Sequence, residues 1–360
     1  MTSSITIRLG KRARARIAAE GMKAADIAII PAAAGGPKGL ILNGLDIWAF
    51  GEWLKAAPRQ RRLIGASIGA WRMAASAFDD PVAAHKRLAQ LYSAQQYPEK
   101  VQAPQVTATC RTLLDELLDG RGAEVLNHPQ HHLSILTVRG IGALARSNGQ
   151  RWREIAGFIA AASGNLLARS QLARAMERVI FHHQHDHSAW LRDGFDAFNA
   201  HFVGLSDANL RDALLASGSI PLVLQAVNDI AGAPQGPYWD GGLIDYHLHL
   251  PYQRDEGLVL YPHFSDYIVP GWLDKSLPWR RARDAALENV ILISPSAEFV
   301  AHLPNSKLPD RADFKAYGQN HGLRMRDWRR AIGESERMAE DFARWCERPD
   351  LKQAASFEAT

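Results

Sequence analysis

The stretch LIGASIGAW (residues 63–71) places Ser67 between two glycines, directly after a short apolar run. Glycine weakens a strand because it increases the entropy of the unfolded chain and leaves a gap in side-chain packing, so it needs a geometric reason there. A tight strand-to-helix turn is such a reason, because bulky side chains at Gly65 and Gly69 would collide across it. The pattern predicts that the Ser67 hydroxyl projects above the end of a sheet.

The segments around this turn alternate between strand and helix patterns. An apolar run at 26–33 precedes a glycine loop and a helical pattern over 38–55, and RRLIGA (61–66) leads through Ser67 into helical patterns up to the nineties. This alternation predicts a parallel sheet with crossover helices. Further apolar runs predict strands at HLSILTVRG (132–140), RVIFHH (178–183), AHFVGLS (200–206), GLVLYPHF (257–264) and NVILISPS (289–296).

The 360 residues are predicted to form one α/β domain with helical additions. We expect a basic N-terminal arm (1–25), the α/β domain (26–305) and a C-terminal helical extension (306–360). In the extension, apolar residues recur at helical spacing and predict packing on the core. These residues are Trp328, Ile332, Met338, Phe342 and Trp345.

Composition restricts the partners and the compartment. The net charge is +4, and no basic stripe interleaved with aromatic residues indicates nucleic-acid binding. Because no apolar run approaches the roughly 18 residues that span a bilayer, only peripheral membrane contact is expected. Cys110 and Cys346 lie far apart without a secretory pattern, so we expect a reducing, cytoplasmic environment.

A glycine cluster in PAAAGGPKGL (31–40) also follows a predicted strand and precedes a helix. Gly35 and Gly36 allow backbone N–H groups to approach a substrate oxygen, which suits an oxyanion hole to which the Lys38 amide also contributes. A phosphate-binding P-loop is disfavoured because Gly39 stands where Ser or Thr would reach a metal. A plain strand-to-helix loop is the alternative.

PYWDGGLIDY (237–246) contains the carboxylate that could serve this serine. Aspartate is a weak base in water, but it can accept a hydroxyl proton when it is desolvated and held against the nucleophile beside an oxyanion site. Its short side chain requires close backbone approach, which Gly241 and Gly242 would permit. A simple turn is the alternative for Asp240 and its glycines.

The order of glycine loop, Gly-x-Ser-x-Gly turn and distant Asp-Gly-Gly resembles the patatin-like phospholipase family. The segment LLASGSIPLV (214–223) also resembles the family, and the similarity covers residues 26–245. It implies a three-layer α/β/α fold with a mainly parallel central sheet. The sequence departs from the family at Ala34, where another glycine is usual, and at Lys38, where arginine is frequent.

The resemblance implies a serine acyl hydrolase that works without a cofactor or metal. Ser67 would be the nucleophile, Asp240 its base, and the loop carrying Gly35, Gly36 and Gly39 the oxyanion hole. The reaction would cleave carboxylic esters through an acyl-enzyme. Phospholipids, neutral lipids and soluble esters are all compatible with these residues.

Histidines suggest two other hydrolytic mechanisms. An α/β-hydrolase triad would recruit a late histidine, and the candidates are His247, His263, His302 and His321. Metal catalysis could use HHQHDH (182–187) or the pair His247 and His249. The simpler expectation for His247 and His249 is that they are alternate residues of a strand and lie on one of its faces.

A non-catalytic membrane-surface protein is the third alternative. VPGWLDKSLPWRRAR (269–283) mixes Trp272, Leu273, Leu277 and Trp279 with basic residues, a composition that suits an anionic lipid surface. An ordinary surface loop with partly buried tryptophans is the simpler interpretation of this segment.

Overall fold

A computed structural model of the protein describes residues 3–145, 151–186, 189–283 and 285–357. Within these ranges the strands form one mixed sheet, in the order β11-β1-β10-β9-β2-β3-β4-β5-β6, with β8 paired to β4 and β7 to β8. The strands are β1 (Ile5–Leu9), β2 (Ile27–Ala32), β3 (Arg61–Ala66), β4 (His131–Gly140), β5 (Met176–His182), β6 (Ala200–Gly204), β7 (Val227–Asn228), β8 (Pro237–Asp240), β9 (Leu258–Pro262), β10 (Val290–Pro295) and β11 (Ala355–Ser356).

Helices flank this sheet. They are α1 (Lys11–Glu20), α2 (Asn43–Trp48), α3 (Ile68–Ala75), α4 (Pro81–Ala94), α5 (Ala103–Leu118), α6 (Gly122–Asn127), α7 (Arg151–Leu167), α8 (Ala189–Arg192), α9 (Leu210–Ser217), α10 (Ala297–His302), α11 (Ala312–Ala316), α12 (His321–Glu334) and α13 (Glu336–Glu347). Among the described residues, none of these helices combines the length and apolar character needed to span a bilayer.

The sheet confirms the predicted α/β fold. The pairs β10/β9, β9/β2, β2/β3, β3/β4 and β5/β6 are parallel, whereas β1/β10, β4/β5 and β4/β8 are antiparallel. Every residue of β2 and β9 is buried, as expected for central strands covered on both faces. All seven strands predicted from apolar runs are present, with bounds that shift by a few residues.

The segment predicted as a basic arm is instead part of the sheet. Residues Ile5–Leu9 form β1, which pairs antiparallel with β10, and the alternating Ile5, Ile7 and Leu9 side chains are buried. The basic side chains of Lys11–Glu20 lie on helix α1, which buries Ala13 and Ile17. The alternation of apolar residues in Ile5–Leu9 is typical of a strand, but the basic residues beside it suggested a solvated arm.

The C-terminal helices pack on the core as expected. Met338, Phe342 and Trp345 of α13 are buried, and the Phe342 ring contacts Trp48 edge-on with ring centroids 5.8 Å apart. Trp328 of α12 is also buried, whereas Ile332 is half-buried. The helical pattern predicted after Ser67 is divided into α3 and α4.

A buried ion pair fixes the helix that follows Ser67. The Arg72 guanidinium on α3 donates Nε and Nη2 hydrogen bonds of 2.7 and 2.8 Å to the Asp46 carboxylate on α2, and both side chains are almost fully buried. A bidentate pair holds its partners in one relative orientation. The helix α3 is therefore anchored to α2 independently of the sheet.

Replacing Asp46 with asparagine is expected to lower the free energy of unfolding by about 3–5 kcal/mol, because it leaves the buried Arg72 charge uncompensated. Glu116→Gln is the matched control, since the Arg87–Glu116 pair is exposed at both ends and should contribute about 1 kcal/mol or less. Urea unfolding measures both variants. Equal losses would contradict the anchoring role of the buried pair.

Candidate active site

Strands β3 and β8 meet end to end along one edge of β4. Strand β3 pairs in parallel with the first part of β4, so that Ala66 faces Leu136, and β8 pairs antiparallel with the next residues, so that Asp240 faces Thr137. Strand β5 covers the opposite edge of β4. Because β3 and β8 run towards each other, the residue after Ala66 and the last residue of β8 lie side by side.

Ser67 occupies the turn between β3 and α3 in a strained conformation. Its φ is 57° and its ψ −132°, outside the regions that side-chain-bearing residues favour, which costs on the order of 1–3 kcal/mol. The Ser67 N–H donates a 2.9 Å hydrogen bond to the Ser217 hydroxyl oxygen, and that hydroxyl donates to the Leu136 carbonyl at 2.7 Å. Ser217 thus ties the turn to β4.

The two glycines that flank Ser67 are required by close backbone contacts. A methyl group on Gly65 would lie 2.5 Å from the backbone nitrogen of Ala70, and one on Gly69 would lie 2.0 Å from the Ala32 carbonyl oxygen. Both distances are shorter than any tolerable non-bonded contact. The turn therefore packs directly against the end of β2.

Asp240 is buried and accepts a hydrogen bond from the serine. The Ser67 hydroxyl donates to Asp240 Oδ2 at 2.8 Å, and the Gly242 N–H donates to Oδ1 at 2.7 Å. The Asp240 N–H is held by the Ser219 carbonyl at 2.9 Å. Burial raises the pKa of Asp240, while the Arg311 charge and the hydrogen bonds from Gly242 and Ser67 oppose that rise. The carboxylate is therefore desolvated, oriented and in contact with the hydroxyl.

The glycines after Asp240 permit this approach. A methyl group on Gly241 would lie 2.2 Å from the Leu136 carbonyl oxygen, and one on Gly242 would lie 2.7 Å from the Ala34 Cβ. The turn that follows β8 is therefore pressed between β4 and the glycine loop.

The predicted oxyanion loop lies at the end of β2, beside the serine turn. Gly36 has a φ of 57° and begins a short helix that continues to Leu42, so its N–H and that of Gly35 have no acceptor within the helix. A methyl group on Gly35 would lie 2.4 Å from the Phe264 ring, and one on Gly39 would lie 3.1 Å from the Ile68 side chain. Gly39 thus packs on the helix that begins after Ser67.

A cavity of about 430 Å³ lies beside the glycine loop and the Asp240 turn, whereas Ser67 is buried next to Asp240 and is not among the lining residues. Asp240, Gly35 and Lys38 line it, so the predicted base and part of the predicted oxyanion loop share one space. Much of the remaining wall is apolar and comes from α7 and three loops. These residues are Ile155, Phe158, Ile159, Ala162, Ile220, Pro221, Leu222, Leu243, Trp272 and Leu273.

A second buried ion network holds the segment after Asp240. Arg178 on β5 donates hydrogen bonds of 2.7 and 2.8 Å to Asp245 and of 3.2 and 2.7 Å to Asp196. The segment LLASGSIPLV contains Ser217, but the sequence pattern indicated neither its contacts nor those of Arg178, because each acts through partners that are distant along the chain. Arg311, which also lines the cavity, was missed for the same reason.

The candidate histidines lie elsewhere. His247 and His263 are buried, with imidazole centroids 4.2 Å apart, and burial lowers the pKa of both rings, to about 3 for His263. The predicted strand at His247 and His249 is wrong, because Leu248 has a φ of 39° and breaks the extended backbone. Among the described residues, no histidine lines the cavity that Asp240 lines.

The described residues contain no cluster of three or more His, Cys, Asp and Glu side chains placed to hold a metal ion. Of the HHQHDH segment, His187 lies outside the described residues, and His183 stacks on His132 with ring centroids 4.2 Å apart.

A mostly parallel α/β sheet with a serine turn and an apolar cavity is compatible with a hydrolase that acts on lipids. The chain matches the family model for patatin-like phospholipase over residues 35–247, more than half of its length. It therefore belongs to the patatin-like phospholipase family, and this membership indicates lipid acyl hydrolase activity in general. A comparison with curated proteins found no matching relative.

Replacing Gly69 with alanine is expected to lower the free energy of unfolding by more than about 3 kcal/mol, because the new methyl group overlaps the Ala32 carbonyl. Gly322→Ala is the matched control, since a methyl group there meets nothing within 4 Å on helix α12 and should be neutral or slightly stabilising. Thermal unfolding of both variants tests this. A Gly69→Ala variant as stable as the control would show that the turn does not pack against β2.

Proposed function

We propose that the protein is a serine acyl hydrolase that cleaves carboxylic esters of lipids through a dyad of Ser67 and Asp240. The observation that carries this proposal is the 2.8 Å hydrogen bond from the Ser67 hydroxyl to the buried Asp240 carboxylate. Nucleophile and base must lie within hydrogen-bond reach for the hydroxyl to be activated. The family match supports the same reaction class.

The first half of the reaction forms an acyl-enzyme. Asp240 Oδ2 accepts the Ser67 proton as Oγ attacks the ester carbonyl carbon, and the carbonyl oxygen becomes an oxyanion. When the tetrahedral intermediate collapses, the ester C–O bond breaks and Asp240 returns the proton to the leaving alcohol. In the second half, Asp240 takes a proton from water as its oxygen attacks the acyl-enzyme carbonyl. When the bond between the acyl carbon and Ser67 Oγ breaks, Asp240 returns the proton to Oγ and the acid leaves.

The N–H groups of Gly35, Gly36 and Lys38 are proposed to stabilise the oxyanion. N–H groups held in place by the fold stabilise charge that develops in the transition state without reorganisation. Gly39 contributes by allowing this loop to pack on α3, beside Ser67. The apolar walls of the cavity suit an acyl chain, because burying apolar surface favours binding.

Replacing Ser67 with alanine or Asp240 with asparagine is expected to lower kcat/KM for p-nitrophenyl butyrate by roughly a thousandfold or more, because either change removes the activated nucleophile. Ser134→Ala is the control, because it removes the hydroxyl of another buried serine, on β4, that does not contact Asp240, and it should keep wild-type activity. A fluorophosphonate should label Ser67 in the control and in wild type, as mass spectrometry would reveal.

Full activity of a folded Ser67→Ala or Asp240→Asn variant would refute the dyad. Single replacements of His247, His263, His302 and His321 by glutamine test the triad alternative. The dyad predicts that each folded variant remains active, whereas loss of labelling at Ser67 in one of them would favour a triad.

We also propose that the rim of the cavity contacts an anionic membrane surface. Ile159 and Leu166 on α7 are 61% and 66% exposed, and Trp279 is 75% exposed. Ile159 itself lines the cavity, and Trp279 precedes Arg280, which donates hydrogen bonds to Asn165 on α7, so these exposed side chains belong to neighbouring segments. Leu277 is buried and Arg280 is bound to Asp274, so only part of segment 269–283 is available for this contact.

Trp279→Ala is expected to weaken binding to phosphatidylglycerol vesicles roughly tenfold, because a large exposed apolar side chain loses its burial in the lipid interface. Leu323→Ala removes an exposed apolar side chain on α12 and serves as the control. Vesicle co-sedimentation measures both. If the two variants bind equally, this rim is not the membrane contact.

A further inference from the structure

Three cations converge on the cavity that holds the proposed base. Lys38, Lys275 and Arg311 all line it. They come from distant parts of the chain: Lys38 follows the glycine loop, Lys275 lies between β9 and β10, and Arg311 precedes α11. Lys38 is half-buried, whereas the other two are exposed at the rim.

None of these three cations has a carboxylate partner within 4 Å among the described residues. Two aspartates line the same cavity, but both are already engaged: Asp240 accepts the Ser67 hydrogen bond, and Asp310 is bound by Lys307 at 2.9 Å. The cavity wall therefore carries an excess of positive charge. Elsewhere in the protein, buried arginines such as Arg72 and Arg178 are paired with carboxylates.

Aromatic rings and backbone hold the cations in place. Lys38 Nζ lies 5.5 Å from the centroid of the Phe264 ring, and Lys275 Nζ lies 5.1 Å from that of Trp272. Arg311 covers the glycine loop so closely that a methyl group on Gly36 would lie 2.9 Å from its Nε. Lys38 and Arg311 thus border the proposed oxyanion hole, and Lys275 lines the same cavity.

The three charges repel one another. Burial, together with the Arg311 and Lys307 charges, lowers the pKa of Lys38, although Asp310 opposes the change. Burial and the charges of Lys38 and Arg311 likewise lower the pKa of Lys275. An anion bound between them would relieve this repulsion, and a phosphate offers several oxygens to the lysines and to the planar guanidinium.

We propose that Lys38, Lys275 and Arg311 form a subsite for the phosphate of an anionic glycerophospholipid, next to the ester carbonyl that Ser67 attacks. This inference rests on the proposed function. The cationic wall would hold the phosphate while the apolar wall of α7 takes an acyl chain. A zwitterionic choline headgroup is disfavoured because its ammonium is repelled, and a diacylglycerol lacks the anion.

The kinetic test uses short-chain lipids below their critical micelle concentration, so that adsorption to a charged surface does not contribute. Wild-type kcat/KM is expected to be at least tenfold higher for dihexanoylphosphatidylglycerol than for dihexanoylphosphatidylcholine or dihexanoylglycerol. Lys275→Gln and Arg311→Gln should each reduce this preference roughly fivefold, the upper range for a partly exposed charge pair. Added salt should reduce it as well.

Lys315→Gln is the matched control. Lys315 is an exposed cation on α11 that does not line the cavity, so its loss should leave the preference unchanged. Equal wild-type rates on anionic and neutral lipids, with hydrolysis that still requires Ser67, would overturn the subsite and leave the proposed function intact.

A binding measurement separates the subsite from catalysis. Calorimetry with the Ser67→Ala variant should detect dihexanoylphosphatidylglycerol, and adding Lys275→Gln or Arg311→Gln should weaken that binding roughly fivefold. Titration with inorganic phosphate tests whether the subsite selects a lipid headgroup or any phosphate. Binding of the lipid alone supports a headgroup site, and equal binding of free phosphate overturns the lipid assignment. If wild type binds the lipid but hydrolyses no ester, the proposed function fails while the subsite stands.

Discussion

The edge of strand β4 governs the geometry of the candidate site. Strand β3 pairs with this edge up to Leu136, and β8 pairs with it from Thr137 onwards, running in the opposite direction. Two segments separated by more than 170 residues thereby end at one point, with Ser67 and Asp240 in hydrogen-bond contact. The Leu136 carbonyl marks the junction, since it accepts from Ser217 and lies directly against Gly241. Changes in the register of either strand would separate the two side chains.

Two buried ion networks support this junction. Arg72 ties α3 to α2, and Arg178 ties Asp245 and Asp196 to β5. Bidentate charged hydrogen bonds are directional, so they restrict rotation of the segments they join. The strained backbone of Ser67 persists because these contacts leave the turn little room to relax.

Local chemistry explains how much of this arrangement could be predicted from the sequence. Gly65 is constrained within its own turn, by the Ala70 nitrogen, so a short pattern indicates it. The contacts of Gly69 and of the Asp-Gly-Gly turn are with distant residues, and only the placement of these glycines beside Ser67 and Asp240 indicates them. Ser217 and Arg311 act only through partners far away along the chain, and no local pattern indicates such contacts. Strand β1 did carry an alternating apolar pattern, but its basic surroundings resembled a solvated arm. The turn at Leu248 depends on a backbone conformation that its residue type does not favour.

The family match ends at residue 247, whereas Lys275 and Arg311 lie beyond it. Ser67, Asp240 and Lys38 thus lie within the matched stretch, whereas the other two cations that line the cavity lie beyond it. Substitutions in the later stretch can therefore change the charge of the cavity wall without altering Ser67 or Asp240.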